Sequence, residues 1–238
     1  MAAIVVSLLF SFGGCSQAMA LVDIPAVGCN GDLAPDAASL PRDRQIDADV
    51  PVFDASDLEF YVSAGPLTLA PRGWVCDTVA DGFEGTVSIH PQHSKSYGLT
   101  EVYIDGDSNN HTQANMDSWT NAYFANEMKK ETLAGNGPIS TESIKKYPTD
   151  KLKSKSSLVI TYTTPANHLG VGNDILFGFG FGEGWPRKHT TLVTIKGFLK
   201  LFTRPGYSAD HLELFAISSP SKLSNIASFI ENYDQNQQ

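Results

Sequence analysis

Apolar residues recur at a period of two in short runs over residues 58–62, 67–69, 74–76, 85–89 and 100–104. That period places successive side chains on opposite faces of an extended strand. Pro71-Arg72-Gly73, Asp81-Gly82 and Asp105-Gly106-Asp107 separate the runs with residues that favour turns. Strands this close together, joined by short turns, predict an antiparallel meander. The period then lengthens. Met116, Trp119, Tyr123 and Phe124 recur at steps of three and four, which puts them on one face of a helix predicted over residues 113–133. Gly135-Asn136-Gly137-Pro138 ends it. Residues 141–146 read as one helical turn, and the stretch holding Lys145, Lys146, Lys151, Lys153 and Lys155 reads as a solvated loop.

Strand patterns return at 158–163, at 192–195 with an extension toward Phe202, and at 212–217. Ser219 suits a helix N-cap and Pro220 the first helical position. Leu223, Ile226, Ala227, Ile230 and Tyr233 form the apolar stripe of a closing helix. The fold class is therefore α+β: mainly antiparallel sheet with one central amphipathic helix and a C-terminal helix. Residues 21–56 are rich in Pro, Asp and Ala without a sustained period and read as an extended N-terminal arm. Residues 57–238 read as a single globular domain.

Residues 1–20 stand apart. Residues 2–14 form an uncharged apolar run of signal-peptide length, too short to span a bilayer as a mature helix. Ala18-Met19-Ala20 offers small residues where a signal peptidase would cut, making Leu21 the mature N-terminus. Phe12-Gly13-Gly14-Cys15 offers a second route, since it resembles a lipobox in which Cys15 receives the lipid, with Phe12 where Leu is usual. The basic start of a leader is missing, so the true start lies upstream or the sequence is a fragment. Either route leaves Cys29 and Cys76 as an even pair, and in an oxidising compartment such a pair forms a disulfide. The expected location is periplasmic or secreted, with a lipid anchor in the outer membrane as the alternative.

Charge narrows the partners. Of 238 residues, 18% are charged and 42% hydrophobic, the balance of a folded domain, and the net charge of −9 is carried wholly beyond residue 20. An acidic surface repels phosphate backbones, so nucleic acid is not an expected partner.

Candidate chemistry is sparse. Asp105, Asp107 and Asn109 alternate as calcium ligands do, but an EF-hand loop would need Gly at Asn110 and Glu at Met116. A polar turn competes with that reading. His90 and His93 flank Pro91, which holds them in extended or turn backbone where they need not converge on a metal, so zinc is not favoured. In residues 177–185 the alternation of Phe with Gly predicts a strand, with Phe177, Phe179 and Phe181 on one face. Gly178, Gly180 and Gly182 on the other, bounded by Glu183 and Trp185, leave a bare strip for a helix, a ligand or a partner chain. No GxSxG is present, and Ser143-Ile144-Lys145-Lys146 matches SxxK without its companion boxes. No motif calls for a cofactor.

Ala70-Pro71-Arg72-Gly73-Trp74-Val75-Cys76 and Tyr162-Thr163-Thr164-Pro165-Ala166-Asn167, with Gly170 and Gly172 following, resemble a group of exported bacterial proteins to which no activity attaches. The resemblance spans most of residues 57–233 and implies export and a single domain. Its departure lies at residues 77–83, where a Gly/Ser-rich turn is expected. Two functions remain open. The first is a non-catalytic envelope protein that binds a protein or glycan, as an inhibitor, immunity or accessory factor. The second is an envelope hydrolase whose residues, with His90, His93 or Asp107 as candidates, come together only in three dimensions. Without a catalytic motif, binding is the favoured reading.

Overall fold

The computed structural model describes residues 21–36, 43–47, 55–64, 67–81, 84–105, 110–124, 146–156, 158–180, 190–203, 210–218, 220 and 224–235. Strands β6 (Val75–Asp81), β7 (Glu84–His90) and β8 (Leu99–Asp105) form a meander, whereas the runs at 58–62 and 67–69 expected to belong to it pair in a separate sheet. Helix α1 (Asn110–Tyr123) follows. A second meander runs through β9 (Lys151–Ser154), β10 (Val159–Thr164), β11 (Ile195–Thr203) and β12 (Asp210–Ser218). Pairing of β12 with β8, from His211 against Asp105 to Ile217 against Leu99, joins the two into one antiparallel run. A two-residue strand, β2 (Asn30–Gly31), adds to β6 in parallel, giving an eight-stranded sheet in the order β2-β6-β7-β8-β12-β11-β10-β9. Strands β1 (Leu21–Gly28), β3 (Asp43–Asp47), β4 (Leu58–Val62) and β5 (Leu67–Pro71) make a smaller sheet in the order β3-β1-β4-β5. The architecture is α+β.

Strand β12 explains the layering. Its sequence is apolar on both alternating faces, as befits a strand covered on both sides. Phe215 and Ile217 face a core that includes Phe60 and Leu69 of the small sheet and Ala227 and Ile230 of helix α3 (Ser224–Gln235). Leu212, Leu214 and Ala216 face a second core with Trp119 and Tyr123 of α1 and with Ile175 and Leu176. Phe215 stacks on Phe198 of β11 at 4.9 Å between ring centroids. Each such fully buried side chain contributes roughly 1.5–3 kcal/mol.

The expected N-terminal arm is largely sheet. Residues 21–25 of β1 pair with β3, and residues 26–28 pair in parallel with β4, with Ile24 fully buried. The strand changes partners midway, and Pro25 interrupts its alternation, so no single period marks it. Cys29 then carries the chain from the small sheet to the large one. Its N–H donates to the Val62 carbonyl (2.9 Å), and its sulfur is bonded to that of Cys76 in β6, with the Cα atoms 4.8 Å apart. Thr78 completes the junction: its hydroxyl donates to the Asn30 carbonyl (2.7 Å) and accepts from Leu33 N–H (3.0 Å). Gly31 has φ of +100°, and a Cβ there would lie 2.1 Å from the Thr78 carbonyl oxygen, so only glycine fits.

Three boundaries differ from expectation. Residues 151–154 are an edge strand rather than a loop, although all four are exposed; lysines on an edge are a common guard against unwanted pairing. The strand expected from residue 192 starts at Ile195. The last helix starts at Ser224, leaving Pro220 outside it, because β12 holds the chain extended to Ser218, whose N–H donates to the Gly98 carbonyl. The expected cap, Ser219, and the helical turn at 141–146, apart from non-helical Lys146, lie outside the described residues. Among the described residues no helix is long and apolar enough to cross a membrane.

Two predictions follow from this frame. Replacing Cys29 and Cys76 together by Ser opens a bridge spanning 47 positions, worth about 4 kcal/mol in the chain-entropy account. The melting temperature should fall by roughly 10 °C; an unchanged melting temperature would contradict the role of the junction. On α3, burial pushes the Glu231 carboxyl up from 4.5 to about 7, against the pull of Lys196 and Lys155. A raised carboxyl favours folding below its unfolded pKa, and that advantage is lost as pH rises from 4.5 to about 7. Glu231→Gln should leave chemical-denaturation midpoints unchanged at pH 4 and raise them at pH 8.

Candidate functional site

Two clusters of polar side chains are buried, one on each face of the large sheet. On the face toward the small sheet, Glu101 of β8 and Glu213 of β12 point inward, at 3% and 4% exposure. They are diagonal neighbours, since Glu101 is registered with Phe215 and Glu213 with Tyr103. Their carboxyl groups hydrogen-bond to each other, which requires one proton between them. Thr68, from β5 of the small sheet, donates to Glu101 (2.6 Å), as does the Tyr103 hydroxyl. Burial raises the Glu101 pKa, and these donors partly offset it. Lys200 of β11 lies 3.8 Å from Glu213. Acceptors and donors are thus matched within the protein. Such a cluster holds two layers in register.

The second cluster lies on the opposite face, at the end of β10. Helix α2 (Val171–Asn173) continues directly into a π-helical turn over Asp174–Gly180. Thr164 donates to Asp150 (2.7 Å), and the Val171 N–H donates to the other oxygen of the same carboxylate (2.8 Å). Gly170 makes room for this contact, because a Cβ there would sit 2.1 Å from the Asp150 oxygen. Asp174 is 1% exposed and accepts from the Tyr147 hydroxyl. The Tyr123 hydroxyl, at the last turn of α1, is buried and meets no hydrogen-bond partner among the described residues. Burial, then the charges of Asp150 and Asp174, push the Tyr123 pKa well up. Burial likewise raises Asp150. Trp119 stacks on the Tyr123 ring at 5.9 Å, Phe179 tilts against Trp119 at 6.4 Å, and the Lys146 ammonium lies 5.5 Å from the Tyr123 ring centroid. The Tyr123 hydroxyl thus lies among aromatic rings and within the electrostatic reach of two carboxylates, and the Thr120 hydroxyl, fully buried on the same helix, also meets no partner among the described residues.

The residues singled out in the sequence distribute differently. Cys29 and Cys76 form the disulfide. The expected strand at residues 177–185 is overturned for its described part. Phe177, Gly178, Phe179 and Gly180 belong to the π-helical turn, so they do not present alternating faces. Glycine tolerates either backbone, and Val171, Ile175 and Leu176, buried at helical spacing upstream, draw the segment into a helix. Gly182 and Trp185 lie outside the described residues, as do Asp107, Asn109 and Cys15. Of the calcium candidates, Asp105 is described, and it lies 3.7 Å from His211 Nδ1. His90 is buried against Asp77 (3.5 Å), while His93 is exposed, so the two do not converge. Among the described residues no three metal-ligating side chains come together.

Glu101, Glu213, Tyr147, Asp150 and Asp174 were not legible as site residues. Glu101 shares its strand phase with buried Leu99, and Asp174 is a lone charge in a run of apolar residues. Those were the available signals. Comparisons with protein-family models, with curated proteins and with solved structures give no match for this chain.

An unsatisfied buried hydroxyl costs about 1–3 kcal/mol. Tyr123→Phe removes that one oxygen and keeps the ring stack, so it should stabilise the free protein by about 1 kcal/mol in denaturant titration. A loss of stability instead would mean that the hydroxyl is already bonded.

Proposed function

We propose that this protein is an exported, non-catalytic binding or accessory protein whose ligand site is the cluster of Tyr123, Tyr147, Asp150 and Asp174. The observation that carries the reading is the Tyr123 hydroxyl, buried beside two carboxylates and bonded to neither. Folding alone gives no reason to keep such a group, whereas an incoming polar ligand supplies its partner. A π-helical turn bordering the cluster fits the same reading, since such turns recur at functional sites.

Export is supported by the disulfide, which is compatible with a location outside the cytoplasm, and by the resemblance of the APRGWVC and YTTPAN segments to exported proteins. Within that reading, periplasmic or secreted protein with Leu21 at its N-terminus stands first, and a lipid anchor at Cys15 second. A hydrolase draws less support. Glu101 and Glu213 do converge, but both are buried and engaged by Thr68, Tyr103 and Lys200, as suits a contact that joins two layers.

Ligand-observed NMR against ammonium, carboxylate, sugar and neutral probes tests the binding role. At least one class should bind the wild type and lose that binding in Tyr147→Phe. Binding by none, or binding indifferent to Tyr147, overturns it. Mass spectrometry of the native protein tests export: a terminus at Leu21 or a lipidated Cys15 is expected, and an intact Met1 terminus overturns it.

A further inference from the structure

The contact between the two sheets includes a proton. Glu101 and Glu213 are buried neighbours hydrogen-bonded to each other, and two carboxylates without a proton between them cannot make that bond. Thr68 reaches Glu101 from the small sheet, its hydroxyl 2.6 Å from Oε2, so β5 is fastened to β8 at this pair. Tyr103, on the same strand as Glu101, donates to Oε1, and Lys200 of β11 acts on Glu101 through space while lying 3.8 Å from Glu213. On β7 the residue registered with Glu101 is Val87. On β4, Tyr61 stands opposite Thr68, with its hydroxyl donating to the Pro71 carbonyl (2.9 Å). Next along β12, His211 meets Asp105 of β8 (3.7 Å). Helix α3, packed on β5 and β11, carries Glu231, which faces Lys196 and Lys155.

From this arrangement we infer that the Glu101–Glu213 pair is a proton-dependent latch: with the shared proton in place it fastens β5 to the large sheet, and loss of that proton at alkaline pH frees the β5 edge. The step is an ionisation that moves one proton from the pair to water and breaks no other covalent bond. It leaves two carboxylates in contact at a buried place, where like charge and desolvation both oppose them. Relief comes from water, and β5, the edge strand of the small sheet, is a layer that keeps water out. Burial raises the Glu101 carboxyl, so the contribution of the pair to folding is complete below the ordinary carboxylate range and is lost as pH rises through the raised value. The Cys29–Cys76 bridge does not titrate and keeps the small sheet tethered to β6, so the opening is local.

Urea denaturation and amide hydrogen exchange of the full chain between about pH 5 and about pH 9 test the latch, in a Glu231→Gln background that removes the raised carboxyl of α3. The urea midpoint should fall by at least about 0.5 M across that range. Amides of β5, corrected for their intrinsic rates, should lose at least about tenfold more protection than those of β11. Glu213→Gln gives Glu101 a permanent N–H donor in place of the shared proton. It should remove at least about half of the midpoint fall and all of the excess loss at β5, while Asp150 and the histidines still titrate. Circular dichroism first establishes that this variant folds, and Glu101→Gln serves in its place where it does not. Thr68→Val takes a donor from the carboxylate, so the pair keeps its proton longer and the fall should begin at least about 0.5 pH unit higher. A merely structural Thr68 would lower the midpoint equally at every pH. The latch is overturned by a midpoint that does not fall, by β5 and β11 losing protection together, by an undiminished fall in Glu213→Gln, or by a uniform effect of Thr68→Val.

Discussion

The ladder between β8 and β12 is the contact on which the rest of the molecule depends. It joins two meanders that are separate in sequence and so creates one sheet with two coverable faces. Without it, Leu214 and Ala216 would have no Val102 beside them, and α1 would have no floor. The same register brings Glu213 beside Tyr103 and Glu101, so the polar cluster between the layers is a by-product of one non-local pairing. Its cost is kinetic, because contacts distant in sequence are slow to close.

The two buried clusters follow opposite rules. Between the sheets every acidic group has been given a proton, a hydroxyl or an ammonium, and the result is cohesion. Near the π-helical turn the matching is left incomplete at Tyr123. The Thr120 hydroxyl, a turn earlier on α1, is also buried without a hydrogen-bond partner among the described residues, and what sets Tyr123 apart is the electrostatic influence of Asp150 and Asp174 on its hydroxyl.

Much of the fold was legible because the signals are local. β4, β7 and β8 show period-two alternation, β10 and β12 are short strand-forming runs, and the face of α1 is written in Met116, Trp119 and Tyr123. The failures share one cause. β1 takes two partners in succession, β9 exists only because β10 lies beside it, and the Phe-Gly alternation yields to a helix begun upstream. None of these is decided by its own residues. The candidate site was hidden for the same reason, since Tyr123, Tyr147, Asp150 and Asp174 come from three separate stretches and come near one another only in the folded chain.

The junction at Cys29 also bears on the order of events during delivery of the chain. Everything it uses, from β1 through β6, lies within the first 81 residues, whereas the strand that completes the large sheet does not arrive until residue 210. A chain that emerges N-terminus first can therefore pair its small sheet and close its covalent staple while most of the molecule is still to come. The early segment then acts as a finished template: β6 is fixed in place, β7 and β8 build outward from it, and β8 waits as an open edge for β12. Vectorial emergence thus turns a static cross-link into a starting point for assembly.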